Sequence, residues 1–302
     1  MVTQAKQRPP ARSPSDIRFD FFNTIFLGLI TLGVLYPLIY VLSASFSNPI
    51  AVTAGRVWLL PVEFSLEGYK AVFAYQQVLV GYLNSLLYTA SFIVISVSLT
   101  LCAAYPLSRP DLKGRKFFTL LFTFTMIFSG GLIPTYLLVR GLGFLNTPLA
   151  LLIPNAVGVW NVIVARTFFQ SSIPAELLEA AEIEGATDGQ IFFKVVMPLS
   201  TSIIAVLGLF YAVYQWNGYF EAMIYIRSQH LYPLQIILRN ILIANMVDSS
   251  MIMDVEEFAL REALKEQLKF SLIVVASAPV LALYPFVQRH FVKGIMIGSL
   301  KG

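Results

Sequence analysis

This sequence contains few charged residues. Aspartate, glutamate, lysine and arginine make up only 13% of its 302 residues, whereas 57% are hydrophobic. A soluble domain carries about 25% charged residues. A soluble protein with six buried helices is the alternative. It is disfavoured because core helices of soluble proteins keep charged residues on one face, and the long windows below have none. Six long windows contain no charged residue at all: 21–55, 71–108, 117–139, 141–165, 195–220 and 270–288.

Other absences exclude several functions. Cys102 is the only cysteine, which excludes a disulfide framework. No G-x-x-x-x-G-K-[ST] sequence is present, so the chain has no P-loop for ATP phosphates. The only histidines, His230 and His290, lie far apart, and no catalytic or metal-ligating set is visible. We therefore expect no enzyme activity, no metal and no cofactor, and the scattered basic residues predict no nucleic-acid partner.

The charge-free windows predict an all-α polytopic membrane protein with six transmembrane helices. A helix that crosses about 30 Å of hydrocarbon needs about 20 residues, and each window supplies enough. The third span contains Gly130, Gly131 and Pro134, so a kink or break is expected there. The first is read as an uncleaved span and not as a signal peptide. The six spans are Phe22–Phe46, Tyr82–Tyr105, Phe117–Val139, Pro148–Phe169, Thr201–Ile226 and Phe270–Phe291.

The basic residues predict the orientation of these spans. Most lie before span one, between spans two and three, and after span six, whereas the short loops on the other side carry few. Cytoplasmic loops are enriched in lysine and arginine, so both termini are expected to be cytoplasmic. The residues on the predicted cytoplasmic side are Lys6, Arg8, Arg12, Arg18, Arg109, Lys113, Arg115, Lys116, Arg289, Lys293 and Lys301.

The segments outside the spans have different expected structures. Residues 1–20 are predicted to be a disordered cytoplasmic tail, and residues 292–302 a cytoplasmic C-terminal tail around a membrane domain at 21–291. Residues 47–78 and 227–269 are the long outer segments. Within the second, Val255–Lys269 has the pattern of an amphipathic helix.

The loop at 170–200 contains the longest acidic stretch. Pro174 favours a helix start, and Gly185 suits the left-handed residue that ends such a helix. Thr187 or Asp188 can cap a second helix over Gly189–Met197, which is expected to stop at Pro198. The sequence thus predicts two short helices joined by a sharp bend.

Two interpretations of this loop remain open from the residues alone. Glu176, Glu179 and Glu182 cover one face of the first helix, beside an apolar stripe that includes Leu178 and Ala181. Such a surface suits docking of another protein. An ordinary amphipathic connector, lying on the protein's own surface, would have the same pattern.

A motif in this loop resembles the coupling loop of ABC-importer permeases. That family's pattern is EAA-x3-G-x9-I-x-L-P, and this chain has Glu179-Ala180-Ala181, Gly185 and Val195-Val196-Met197-Pro198 at the same spacing. Val195 and Met197 are conservative departures. The segments YLLVRGLGFLNT, QWNGYFEA and YPFVQRHFVKGIMIGSLKG extend the resemblance to carbohydrate-uptake permeases, in particular to the lipoprotein/aldouronate-type oligosaccharide branch.

The resemblance implies a translocation subunit of a bacterial cell-membrane importer. Its loop would dock in a cleft of a cytoplasmic ATPase: Glu179 would face a basic or polar contact, Ala180 and Ala181 would allow close approach, and Gly185 would form the bend. Val195, Met197 and Pro198 complete the docking motif. The implied partners are two ATP-binding subunits, a second permease (expected to be a different but related chain), an extracytoplasmic solute-binding protein and membrane lipid.

Polar residues within span five are candidates for the solute pathway. Tyr214, Asn217 and Glu221 fall on one face of a continuous helix, with Gln215 beside them. Amides, a carboxylate and aromatic rings suit a hydroxyl-rich solute such as a sugar. Hydrogen bonding between helices is the alternative explanation.

Other transport classes remain as alternatives. A secondary transporter normally needs ionisable residues inside its spans, and the span interiors have none. Within ABC importers, the solute could instead be an amino acid, a peptide or an osmolyte.

Overall fold

The structure is a computed structural model that describes residues 13–242 and 263–282. All regular secondary structure in these ranges is helical, which confirms the all-α prediction. The chain divides into two compact units. Of the described residues, the first unit contains 13–71 and 263–274, and the second contains 72–242 and 275–282.

Fifteen α-helices lie within the described residues. In chain order they are α1 (Pro14–Ser45), α2 (Pro49–Thr53), α3 (Glu67–Ala74), α4 (Gln76–Ser108), α5 (Arg115–Ile127), α6 (Leu132–Gly141), α7 (Leu149–Leu152), α8 (Val159–Ser172), α9 (Ala175–Ile183), α10 (Asp188–Ile191), α11 (Met197–Leu199), α12 (Thr201–Asn217), α13 (Phe220–Tyr225), α14 (Leu234–Leu242) and α15 (263–282). A π-helical turn, Phe192–Val196, joins α10 to α11, and a 3₁₀ turn, Gln229–Leu231, precedes α14.

The first unit begins earlier than the sequence predicts. Pro14 occupies the first helical position of α1, and the Ser13 backbone N–H donates to the Asp16 carboxylate at 3.1 Å. Proline and an acidic residue both favour a helix N-terminus. Residues 14–20 are therefore helical, and the expected disordered tail is wrong for that part.

A small core closes the first unit around the end of α1. Ala44, Ala51, Val52 and Val57 are buried together there. The fully buried Gln267 of α15 donates its side-chain amide to the Ser47 carbonyl at 2.6 Å. This bond satisfies a carbonyl that follows the end of α1 and would otherwise be costly to bury.

The second unit is built on α4. This 33-residue helix packs chiefly against α8 and α12, with Phe92, Leu101 and Leu207 in the buried core. Within that core, the Tyr211 hydroxyl lies 2.6 Å from Thr100 Oγ1 and accepts a hydrogen bond from the Gly158 N–H at 3.2 Å. One tyrosine of α12 therefore connects it to α4 and to the start of α8.

The length and composition of the described helices fit membrane spans in several places. Helices α1 and α4 are each long and apolar enough to cross a membrane, and two bent pairs pass the same test together. These pairs are α5 with α6, bent by 112°, and the segment Asp188–Leu199 with α12, bent by 80°. The total of six spans stays a prediction.

The expected break in the third span is confirmed. Helix α5 ends at Ile127 and α6 begins at Leu132. Gly131 between them has a φ of +83°, a backbone conformation that residues with a side chain rarely adopt. The glycine pair therefore lets the chain turn sharply.

The fourth and fifth spans are not the continuous helices that we expected. The fourth is interrupted over 153–158, where Pro154 has no N–H to donate and Gly158 adopts an extended conformation. The fifth ends at Asn217, because Gly218 is extended, and a new helix begins at Phe220. A charge-free window cannot reveal such breaks, since it reports polarity and not backbone geometry.

Some predictions lie wholly or partly outside the described residues. These are the tails at 1–12 and 292–302, the end of span six, and most of the amphipathic helix predicted over Val255–Lys269. The part of that helix that is described, 263–269, is helical.

Candidate docking loop and polar cluster

The bend after α9 has the geometry that the sequence predicts. Gly185 has a φ of +80°. Its N–H donates to the Glu182 carbonyl at 2.9 Å, and the Ala186 N–H donates to the Ala181 carbonyl at 3.0 Å. These two bonds form a Schellman motif, which satisfies two carbonyls at the helix end.

The second helix of the loop starts as predicted but continues further. The Thr187 N–H donates to the Gln190 side-chain oxygen at 2.9 Å, and the Gln190 N–H donates back to the Thr187 hydroxyl at 3.4 Å. This capping box opens α10. The helical structure does not end at Pro198, contrary to our expectation. Because Pro198 has no N–H for the usual ladder, the preceding turn is π-helical and α11 runs on to Leu199.

The first half of the motif divides into a packed face and an exposed face. Leu178 and Ala181 are partly buried against the core of the second unit, so Ala181 makes its close approach to its own chain. Glu179 and Ala180 are exposed. Ile183, the last residue of α9, is 88% exposed. The packed face of α9 fits the connector interpretation, and the exposed face fits the docking interpretation.

The second half of the motif mainly packs inward. Val196 is fully buried, and Val195 and Met197 are partly buried against the same core. Only Pro198 is exposed among the motif residues here. The aliphatic residues of the motif therefore fix the loop to the protein rather than form its exposed surface.

An ion-pair cluster holds α9 to the turn that follows α4. The Arg109 guanidinium donates to both Asp111 carboxylate oxygens, at 2.9 and 3.2 Å, and also to the Glu182 carboxylate. These bonds raise the pKa of Arg109 above its usual range, chiefly through Asp111. Hydrogen bonding by Arg109 lowers the pKa of Asp111. Arg109 and Asp111 are therefore charged at neutral pH, and the pair they form weakens as pH falls through the depressed pKa of Asp111.

Sequence reasoning missed two residues of this region. Ile183 lies between glutamates, and only the exposed fraction of its side chain shows that it has no packing role. Arg109 lies 73 positions before Glu182 in the chain. The feature of the sequence that points to Arg109 is the basic turn between spans two and three, which we used only to predict orientation.

A separate polar cluster lies near the end of α12. The Glu221 carboxylate accepts hydrogen bonds from the Tyr214 hydroxyl at 3.4 Å and from the Asn155 amide at 3.3 Å. Tyr214, Gln215, Glu221 and Asn155 line one small cavity. Asn217 does not line that cavity. It is exposed, and its amide donates to the Val213 carbonyl of its own helix at 2.8 Å.

The shared-face argument for these residues needs correction. It assumed one helix through Glu221, but the chain leaves the helix at Gly218 and enters α13. Tyr214 and Glu221 still meet, because the short connection turns Glu221 back towards α12. Asn155, from the interrupted fourth span, joins the residues predicted from span five in this cluster.

The loop geometry and the helical architecture agree with the relatives of the chain. Residues 18–297 match the family described as the binding-protein-dependent transport system inner membrane component. The chain belongs to this family. Membership makes it a permease subunit of an ABC importer and not an enzyme, and it implies in general an ATPase partner and a binding-protein partner.

Individual relatives cover nearly the whole permease. It is 42% identical to the polygalacturonan/rhamnogalacturonan transport system permease protein YtcP of Bacillus subtilis (strain 168), over 94% of this chain and 98% of that protein. It is 37% identical to Protein LplC of the same organism, over 94% and 95% of the two chains.

A solved structure shows the same fold. It is a crystal structure of a bacterial ABC transporter involved in the import of the acidic polysaccharide alginate. The match has a TM-score of 0.84 and 36% identity, and it covers 93% of this chain and 99% of that chain.

Proposed function

We propose that the permease is a translocation-pathway subunit of an ATP-driven importer that takes up an oligosaccharide from an extracytoplasmic binding protein. Relatives named for transport of polygalacturonan or rhamnogalacturonan, and a structural neighbour involved in alginate import, support this substrate class. Two of these carbohydrates are polymers of sugar acids, so acidic as well as neutral oligosaccharides are candidates. A non-sugar solute is the alternative.

The assembly has a second permease and two ATP-binding subunits. In this arrangement six spans cross the membrane, both termini are cytoplasmic, and the 170–200 loop faces the ATPase. The charge distribution supports the orientation. The bends within the described helices are compatible with it, since irregular backbone is tolerated at membrane depth where it is buried in protein or lines a water-filled cavity.

The exposed face of α9 is the observation that carries the docking role. Glu179, Ala180 and Ile183 present a carboxylate, a small residue and a large apolar side chain to the surroundings. Exposed apolar groups beside charge are typical of protein interfaces. The Schellman motif at Gly185 holds this face in place, and the inward packing of Val195 and Met197 anchors it.

The polar cluster and Asn217 form the proposed solute-contacting surface. Tyr214, Gln215 and Glu221 lie together, and Asn217 adds an exposed amide one helical turn from Tyr214. Hydroxyl-rich solutes are recognised by such uncharged and acidic hydrogen-bonding groups next to aromatic rings.

Substitution of Ile183 tests the docking role. Ile183→Ser should reduce the amount of ATPase subunit that co-purifies with the permease and reduce transport, because the apolar contact is lost while its own packing is unaffected. Ile50→Ser is the matched control, since Ile50 is also exposed, at 53%, but lies in the predicted outer segment. Undiminished co-purification of the ATPase with Ile183→Ser would contradict docking through this face.

The substrate class is tested on the reconstituted assembly. We expect ATP hydrolysis to be accelerated by the binding protein with an acidic or neutral oligosaccharide. Amino acids, peptides and osmolytes should not accelerate it. Acceleration by a non-sugar solute alone would overturn the assignment.

A further inference from the structure

The turn at the Ser108 end of α4 is held by side chains of α8. The Arg166 side chain donates to the Leu107 carbonyl at 3.0 Å, and the Gln170 amide donates to the Ser108 carbonyl at 3.3 Å. Both donors belong to α8. The end of α4 is therefore held to α8 by bonds to its last carbonyls, which a helix leaves without partners of its own.

Arg109 extends this fixed turn to α9. Its side chain is only 15% exposed, and Asp111 holds the guanidinium from one side through two bonds. The remaining bond from the guanidinium reaches Glu182. Among the described residues, this is the ion pair that joins α9 to the α4–α5 turn. A guanidinium oriented by one carboxylate loses little further entropy when it binds a second.

The covalent route from α9 towards α12 is much less direct. It passes through the Gly185 bend, the π-helical turn Phe192–Val196 and an 80° change of direction before Thr201. A displacement of α9 along this route would have to pass through the glycine bend, the π-helical turn and the change of direction. The ion pair, by contrast, joins α9 directly to the turn that ends one continuous helix, α4.

The first half of α4 is also bound to a separate segment. Asn84 donates its amide to the His230 and Tyr232 carbonyls, at 2.8 and 3.0 Å. The Tyr88 hydroxyl donates to the Leu231 carbonyl at 3.2 Å, and Ser85 accepts from the Leu234 N–H at 2.8 Å. Three side chains within about one turn of α4 thus hold 230–234.

We propose that α4 transmits displacement between the outer segment at 230–234 and the docking face of α9, with Arg109 as the positioning residue at its inner end. The part of α4 from Asn84 to Ser108 spans about 36 Å, which is enough to cross the hydrocarbon core of a membrane. Solute-loaded binding protein acts on one end and the ATPase on the other. This inference rests on the proposed function, because it uses the same orientation and docking face.

Variants at the two contact sites of α4 test the transmission in the assembled importer. The Arg109→Gln change removes the charge and one or more of its bonds, but touches neither Glu179 nor Ile183. We expect ATPase co-purification and ATP hydrolysis without binding protein to be unchanged. The stimulation of ATP hydrolysis by solute-loaded binding protein should fall by about fivefold or more, the lower range of coupling between distant sites.

Two further variants separate transmission from a local effect. Lys113→Gln removes an exposed positive charge from the same turn and should leave stimulation intact. Asn84→Leu, in the first half of α4, should lower stimulation as Arg109→Gln does. Because both act on one element, the double variant should be no worse than the more affected single variant.

The outcomes distinguish this inference from the proposed function. If the unmodified assembly is not stimulated by any oligosaccharide, the proposed function fails. If it is stimulated, and Arg109→Gln is stimulated equally, transmission through Arg109 is wrong. Loss of basal hydrolysis or of ATPase binding in Arg109→Gln would also overturn it, because the residue would then support docking itself. Additive losses in the double variant would show two independent effects.

Discussion

Asn217 and Glu221 lie four positions apart, but the structure gives them different surroundings. Glu221 is part of a polar cluster with Tyr214 and Asn155, whereas Asn217 bonds only the Val213 carbonyl of its own helix among the bonds observed. Within residues 13–242 and 263–282, Asn217 makes no observed hydrogen bond to a neighbouring helix, so bonding between helices does not explain this residue there. Its exposed amide is therefore a direct probe of the proposed solute surface.

The Asn217→Leu change should lower solute transport by several-fold without abolishing it. A single lost hydrogen bond is worth about 0.5–1.5 kcal/mol, and tenfold in affinity corresponds to about 1.4 kcal/mol. ATP hydrolysis without solute and the yield of assembled complex should be unchanged, because the docking face is untouched. Transport and thermal stability should be measured on one preparation. A lower stability with normal transport per complex would make Asn217 a structural residue.

At the scale of elements, the bend between α9 and α10 depends on one backbone conformation. A Cβ at Gly185 would meet no atom within 4 Å, so the site has room for a side chain. The restriction is the φ of +80°, which costs residues other than glycine about 1–2 kcal/mol. Gly189, four residues later in α10, also has open space but no positive φ.

These two glycines form a matched pair for a test of the bend. We expect Gly185→Ala to weaken ATPase co-purification and transport, because α9 loses the cap that positions its exposed face. Gly189→Ala should leave both at or above the level of the unmodified protein, since alanine favours a helix. The measurements are the ratio of ATPase to permease after purification, and the transport rate. Equal behaviour of the two variants would show that the bend is not needed for docking.

For the whole molecule, orientation in the membrane determines which surfaces meet which partners. The distribution of positive charges predicts that the 170–200 loop and both termini lie on the cytoplasmic side. The second predicted outer segment, 227–269, contains the residues that the first half of α4 holds. The proposed transmission along α4 therefore requires these two regions to lie on opposite sides.

Reporter fusions test this orientation directly. A reporter that is active only in the cytoplasm should be active after Gly302 and within the 170–200 loop, and inactive within 227–269. A reporter that works only outside should give the reverse pattern. Activity of the cytoplasmic reporter within 227–269 would contradict both the six-span arrangement and the transmission along α4.

The sequence by itself determined the all-α class of the protein and the local geometry of the bend between α9 and α10. Both depend on interactions between near neighbours: the polarity of long windows, the positive φ that Gly185 permits, and the capping chemistry of Thr187. The resemblance of the EAA-x3-G motif added the family, which the comparisons confirmed.

Only the tertiary structure decided which side chains face outward and which residues meet. Ile183 is exposed while Ala181 is packed, although the two are close neighbours on α9. Arg109 meets Glu182 and Asn155 meets Glu221 across many positions of the chain. The breaks at Pro154 and Gly218 redirect whole segments. These features depend on how separate helices pack, and a one-dimensional pattern of polarity carries no record of that packing.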